Sequence, residues 1–496
     1  MTRRDDLAAF FSLLLAAFVC YGGLGIARLG FYHDDWHLLA AMHFAPGGWV
    51  SGMRALVDLA PAIVFRPLEI PVFSAFYNLF GLNPLPWQAT LLAINLACAW
   101  MLRSVLRRFG ASPAAALLGA LIALAYPAKD STMFWSTTIF ISLSLLLFLI
   151  AFDQHLRHSS KAGKTSLFIV ACCLLASFTL YDQCLLLFPI FFLAPAHSKE
   201  EHRRKLHGTL LAGIILAVVI LYQFVLAPLA LGVSHNKTVN LSLSHGLYVY
   251  YAGIGTLAGS ELVRSAAALF WIALRSAPIL AVCALIATAA ALRPQTREKS
   301  ADVRRLFALA AGFYVLGYLP IAFSDYNPTP LNHFNRINLV PAYGAAIAAC
   351  ALLEYLRRRA ALAVGALLAA FLIVAHAGSA SVWAESYRRQ LALRDAILAQ
   401  IVRWPRDSVL FIHLKEEFVA GKAPVFLAHY DSTGAARLWT GDRDRRTDML
   451  GPGTRFLSAE VDNNGRKVPY DKATILDEMD GRLLKLDLRR SPYEKR

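Results

Sequence analysis

Residues 7–36 read LAAFFSLLLAAFVCYGGLGIARLGFYHDDW. An apolar run of the length that a bilayer-crossing helix needs, about 20 residues, ends in the tetrad His33-Asp34-Asp35-Trp36. Two adjacent carboxylates beside hydrocarbon are costly, whereas a plain anchor helix ends in Trp, Tyr, Lys or Arg. The acid pair therefore marks the loop that follows the first span, 28–85, as the place to look for chemistry.

Working outward from that stretch, the rest of the chain repeats the apolar run. Hydrophobic residues make up 57% of the 496 positions, charged residues 17%, and the mean hydropathy is +0.49. These values describe a polytopic, all-α membrane protein rather than one or several soluble domains. About eleven transmembrane helices are expected, near 7–27, 86–106, 113–128, 134–151, 166–181, 183–196, 208–227, 266–292, 305–323, 337–356 and 360–380. The first carries no small-residue cleavage site and reads as a retained helix rather than a signal peptide. The seven Cys lie in or beside apolar spans with no metal-ligand spacing and no disulfide framework.

The net charge of +16 invites a nucleic-acid partner, but the placement of the charge speaks against one. Lys and Arg gather in every second loop: Arg3 and Arg4 before the first span, Arg103, Arg107 and Arg108 after the second, Arg157, Lys161 and Lys164 after the fourth, Lys199, Arg203, Arg204 and Lys205 after the sixth, Arg293, Arg297, Lys299, Arg304 and Arg305 after the eighth, and Arg357, Arg358 and Arg359 after the tenth. By the positive-inside rule these loops and the N-terminus are cytoplasmic. The opposite side then holds the loop 28–85, the turns at Tyr126–Asp130 and Asp182, the loops 228–265 and 324–336, and the C-terminal segment 381–496. Segment 69–80 (EIPVFSAFYNLF) is too short to span and is expected as an interfacial helix, and 245–263 as another. From about residue 384 strand-like runs appear, at 408–414, 424–430 and 482–488, so 381–496 is expected as a small soluble α/β domain beside the membrane domain 1–380. The excess of Arg over Lys and the abundance of Ala suggest a GC-rich bacterium, hence an inner-membrane protein with this face in the periplasm. There, the glycosylation patterns at Asn236 and Asn240 would carry no meaning.

The candidate functional residues all fall on that side. Asp34 and Asp35 supply carboxylates suited to general-base work, and their adjacency should push one pKa upward. The plainer alternative is that they cap a helix. Arg66, opening Arg66-Pro67-Leu68, and Arg336, in Asn335-Arg336-Ile337-Asn338, offer the planar fork that binds phosphate bidentately. Each also fits as an interface anchor. Lys129 and Asp130 sit in a tight turn and Asp182 opens the sixth expected span, where a satisfied turn residue is the simpler reading. His33, His37 and His333 are further candidates, and with the Asp pair they would make a metal site, although no HxxxH or HExxH spacing supports one.

Taken in order, these positions resemble a family. The chain is similar to the GT-C class of polytopic glycosyltransferases that use a polyprenyl-phosphate sugar, and within it to the O-mannosyltransferase-like branch. The resemblance rests on Asp34-Asp35 in the first loop, Arg66-Pro67-Leu68, the Gly81-Leu82-Asn83-Pro84 turn into the second span, Tyr126-Pro127 with Trp135, and the register of Arg336, Pro341 and Gly344. It covers about residues 1–380. Gln88 and Asn95 stand where the branch has His, Ile337 stands where it has Tyr, and Asp130 falls one residue early.

The resemblance implies that a sugar is passed with inversion from a polyprenyl-phosphate carrier to an acceptor outside the cytoplasm, a cell-envelope glycan, lipid or protein. It implies Asp34 or Asp35 as the base, with Arg66 and Arg336 on the departing phosphate. The acid pair would alternatively hold a divalent cation. The partners are then membrane lipid, the lipid-linked sugar and the acceptor, with no nucleic acid. Two other classes share the architecture. A lipid-linked glycan flippase should show internal repeats and interrupted helices at mid-membrane. An O-antigen-type polymerase or ligase should depend on large loops late in the chain.

Overall fold

The computed structural model describes residues 3–160, 164–232, 240–292, 302–356, 358–399, 401, 404–451, 454–457, 460–478 and 482–485. Outside these lie part of three expected basic loops (161–163, 293–301 and 357), Asn236 of the glycosylation pattern, and the end of the last expected strand.

In chain order the helices are α1 Arg3–Cys20, α2 Asp34–His43, α3 Trp49–Leu59, α4 Glu69–Phe80, α5 Pro84–Arg108, α6 Pro113–Leu124, α7 Ser131–Phe134, α8 Ile139–Ser160 and α9 Lys164–Leu180. They continue with α10 Lys199–Leu221, α11 Ala227–Leu231, α12 Leu243–Ala258, α13 Ser260–Ser276, α14 Ile279–Ala289, α15 Val303–Ala322, α16 Leu339–Leu356, α17 Arg359–Ala399 and α18 His429–Thr440. Short 3₁₀ segments join several of them.

Seven helical stretches among the described residues are long and apolar enough to cross a membrane: Pro84–Arg108, Ser136–Ser160, Lys199–Leu231, Leu243–Ser276, Val303–Ala322, His333–Leu356 and Arg359–Ala399. Four shorter apolar helices accompany them: Pro113–Leu124, Thr165–Leu180, Asp182–Leu193 and Ile279–Leu292. The chain is an integral membrane protein built of helices. Local chemistry sets many of the helix starts. Asn83 accepts the amide of Leu85 ahead of Pro84, and Ser112 accepts that of Ala115 ahead of Pro113. Helix α6 is buried from Ala114 to Leu124 and forms the centre of the bundle. Small residues let its neighbours close up: a Cβ on Gly344 of α16 would lie 2.8 Å from the Ala310 carbonyl oxygen of α15.

The span expectations need four adjustments. The first helix ends at Cys20, where Gly22 and Gly23 take φ of 73° and 64° and turn the chain into a 3₁₀ segment. The expected span 183–196 is a 3₁₀ helix, Asp182–Leu193, with Pro189 inside it. The expected span 266–292 is divided between α13 and α14 at Ala277–Pro278, and 245–263 belongs to the long apolar pair α12–α13 rather than to a separate short helix. The last helix runs unbroken through residue 380 to Ala399, so the domain boundary expected there falls inside one helix. Segment 69–80 is the single helix α4, as its pattern suggested.

The C-terminal part is α/β. Its strands are β1 Val409–His413, β2 Phe418–Val419, β3 Ala423–Pro424, β4 Arg446–Met449, β5 Thr454–Phe456, β6 Glu460–Asn463, β7 Arg466–Pro469, β8 Ala473–Asp477 and β9 Arg482–Lys485. Four form a sheet in the order β4-β1-β8-β9, with β1 parallel to both β4 and β8. The parallel pair β1–β4 needs a crossover, and α18 supplies it. Residues 424–430, expected as a strand, instead end β3 and open α18. There Asp431 accepts the amides of Leu427, Ala428 and Ser432 and stabilises the helix start.

The two ends of the bundle differ in chemistry. One carries ion pairs between helices, Arg103 with Asp6 at 2.9 Å and Arg108 with Asp153 at 2.5 Å, and within α8 Arg157 with Asp153 at 2.9 Å. At the other, the loop 28–85 and the C-terminal domain meet.

Candidate active site

The acid pair opens α2, and one helical step separates the fates of its members. Successive residues on a helix point about 100° apart. Asp35 points inward and is 1% exposed. Its carboxylate accepts the amides of Tyr32 at 2.9 Å, Ser136 at 3.3 Å and Thr137 at 2.7 Å, and the Thr137 hydroxyl. Burial pushes its pKa up to about 7 against those hydrogen bonds, and the charge of Asp34 adds only the last contribution. The expected upward shift is thus present, but chiefly through desolvation. Asp35 pins α2 to the turn before α8.

Asp34 points the other way, into a cavity of ≈ 380 Å³. Its side chain is 40% exposed. The cavity is walled by Leu38, Ile63 and Phe65 and carries polar groups from six regions: Asp34 and His37 on α2, Arg66 and Glu69 by the start of α4, Thr137, Asp182, Gln223, and Tyr430 from α18. Burial holds His37 below its ordinary pKa.

Arg66 meets two acids in the lining of this cavity. It gives Asp182 hydrogen bonds of 3.0 and 3.2 Å, approaches Glu69 at 3.7 Å, and stacks over the Tyr181 ring at 3.9 Å. Burial pushes the Glu69 carboxyl up to about 7, against the pull of Arg66. Asp182, read from the sequence as a turn acid, and Arg66, 116 positions away, are therefore one unit.

Beside the cavity stands His33, the residue before α2, at a φ of +47°. Such a backbone is strained for a residue with a Cβ. Its Nδ1 lies 3.2 Å from Asp431, and its Nε2 lies 3.5 Å from Asp34 and 3.4 Å from the Tyr430 hydroxyl. Burial disfavours the charged ring, but the hydrogen bond to Asp431 and the charges of Asp34 and Asp431 outweigh it and raise the pKa, with Arg336 opposing. His333 packs edge-on against His33 at 4.9 Å. Arg336 donates to the His333 carbonyl at 3.1 Å and lies among Trp135, Phe334 and Tyr326, 5.1 to 5.8 Å from their rings. No carboxylate pairs with it among the described residues.

Lys129 and Asp130 lie elsewhere, both fully buried. Lys129 donates to the Leu124 carbonyl at 3.2 Å. Asp130 holds Lys422 of the C-terminal domain at 3.4 Å and accepts from Asn335 and Ser379. The pair ties elements together away from the cavity. Gln88 and Asn95, which replace His of the resembled branch, are ties as well. Gln88 donates to the carbonyls of Gly30 at 3.0 Å and Phe134 at 2.7 Å, and Asn95 to that of Thr132 at 3.2 Å.

A cation shared by Asp34 and Asp35 does not fit this arrangement, because the oxygens of Asp35 are taken by amides and a hydroxyl. Among the described residues no group of three or more His, Cys, Asp or Glu side chains is disposed to hold a metal ion.

Sequence reasoning missed Glu69, Tyr430 and Asp431. Glu69 carried a signal, an acid three residues after Arg66 at a helix start. The run His429-Tyr430-Asp431 before the small residues Gly434-Ala435-Ala436 also carried one, a helix start with a face small enough for close packing.

No known protein family matches the chain, and no curated protein does. Among solved structures, it is similar to the crystal structure of ArnT from Cupriavidus metallidurans bound to undecaprenyl phosphate, at 15% identity and a TM-score of 0.41. The match covers 89% of this chain and 85% of that one.

Proposed function

We propose that the chain is a membrane glycosyltransferase that takes a sugar from a polyprenyl-phosphate donor and passes it, with inversion, to an acceptor outside the cytoplasm. The observation that carries this reading is that Asp34, a base candidate, and Arg66, a cation suited to phosphate, line one cavity. The donor is a phosphodiester with one negative charge. As the acceptor oxygen bonds to the sugar C1 and the C1–O bond to phosphate breaks, the leaving polyprenyl phosphate gains a second charge. A cation beside that oxygen favours the transition state over the ground state. Arg66 is oriented for this by Asp182 and Glu69. Asp34 takes the acceptor's proton as the new bond forms. Arg336, close to His33 and unpaired with any described acid, is a second cation for the phosphate.

Purified protein in detergent, given polyprenyl-phosphate sugars and cell-envelope acceptors, should release polyprenyl phosphate. Asp34→Asn should abolish that release while leaving thermal stability within about 0.5 kcal/mol, as for an exposed substitution. Unchanged turnover in Asp34→Asn would refute the acid-centred mechanism. Protein-dependent movement of lipid-linked sugar between leaflets, with no donor consumed, would make it a flippase instead.

A further inference from the structure

We propose that the C-terminal domain supplies part of this site: Asp431, with Tyr430 beside it, positions His33, and through it Asp34. The inference rests on the reading of Asp34 as the base. Three observations carry it.

First, α18 is seated hard against α2, which places its N-terminal residues at His33. A Cβ on Gly434 would lie 2.5 Å from the Trp36 carbonyl oxygen, so only glycine permits this approach. Trp439 packs edge-on against Trp36 at 5.4 Å, and the Trp36 indole donates to Gln390 of α17 at 3.0 Å.

Second, the Asp431 carboxylate is buried and held by several hydrogen bonds. It accepts the amides of Leu427, Ala428 and Ser432 at 2.9, 3.2 and 2.6 Å. What it presents to His33 is thus a fixed acceptor at 3.2 Å. A hydrogen bond from Nδ1 to that acceptor fixes the tautomer and aims Nε2 at the other side of the ring.

Third, that other side holds Asp34 at 3.5 Å and the Tyr430 hydroxyl at 3.4 Å. A neutral ring accepts from Tyr430, and a protonated ring bridges Asp431 and Asp34. Only the protonated ring has an N–H to give Asp34, and in that state the imidazole sets where the Asp34 carboxylate lies. The charged and titratable groups around the ring are Asp34, Asp431, Tyr430, His333 and Arg336. The two acids outweigh the one arginine.

The test is a double-mutant cycle on full-length protein in detergent, with Asp431→Asn, His33→Gln and the double variant. Asp431→Asn should lower kcat by about tenfold or more with donor KM little changed, and should shift the acid limb of the kcat pH profile. The double variant should be no slower than His33→Gln alone, because the two act as one unit. Fold losses that multiply, or a wild-type kcat and pH profile in Asp431→Asn, would overturn the proposal. Nitrogen-15 NMR of labelled histidine reads the link without turnover. His33 should titrate above the ordinary histidine range in the wild-type protein and lower in Asp431→Asn. An unmoved titration would overturn the proposal even if transfer falls through damage to folding. Absence of transfer by the wild-type protein with every donor would defeat the glycosyltransferase reading alone, and the NMR arm would still judge the Asp431–His33 link.

Discussion

Lys422→Met tests how firmly the C-terminal domain is locked to the helices. Lys422 is 2% exposed and Asp130 is 0% exposed. Their 3.4 Å contact joins the hairpin β2–β3 to the turn before α7, and the Lys422 amine also meets the Pro330 carbonyl at 3.1 Å. With the amine removed, Asp130 keeps Asn335 and Ser379 as donors but its buried charge loses its ion-pair partner. Breaking one side of such a pair costs about 3–5 kcal/mol. Removing both charges in Lys422→Met with Asp130→Asn leaves no uncompensated ion and should recover about 2 kcal/mol or more of that loss. The assay is equilibrium unfolding in detergent of the wild-type, the two single variants and the double variant. A loss below about 1 kcal/mol in Lys422→Met, or a double variant as unstable as the sum of the singles, would refute the account of Asp130 as the anchor of the domain.

Three further outcomes are expected. Glu69, with its pKa raised to about 7, loses its charge as pH falls through that value. This frees Arg66 from one of two acids, so the donor's apparent KM should fall from pH 8 to about pH 6, and Glu69→Gln should flatten that dependence. Asp35→Asn should cost stability, about 1–3 kcal/mol for a buried amide left unpaired, and lower the yield of folded protein, unlike Asp34→Asn. In a background lacking Cys172 and Cys173, a cysteine at Asp444 should react with a membrane-impermeant thiol reagent in intact spheroplasts. One at Ser160 should not, by the charge asymmetry of the loops, and the reverse labelling would invert the proposed orientation.

The helical membrane architecture was legible because hydropathy alone reports it. The first loop stood out because an acid pair beside hydrocarbon is costly, and the structure gives one of the two, Asp35, a structural use. Which acid faces the cavity was not legible. Asp34 and Asp35 are the same residue type, and only the tertiary position of Ser136 and Thr137 decides that Asp35 turns inward. The pairing of Arg66 with Asp182 and of His33 with Asp431 spans 116 and 398 positions. No local pattern encodes such contacts. The breaks at Gly22–Gly23, Pro189 and Pro278 were marked in the sequence by the residues themselves, and hydropathy windows averaged over them.

The unbroken course of α17 has a mechanical meaning. Its 41 residues make a rod about 60 Å long, anchored in the bundle at one end and carrying the C-terminal domain at the other. Such a strut transmits both length and phase. One added residue would swing the domain by about 100°, while seven would nearly restore its heading but lift it by about 10 Å. Either change would draw Tyr430 and Asp431 off His33. The helix thus acts as a ruler, and the reach of Tyr430 and Asp431 to His33 is set by a count of residues along α17.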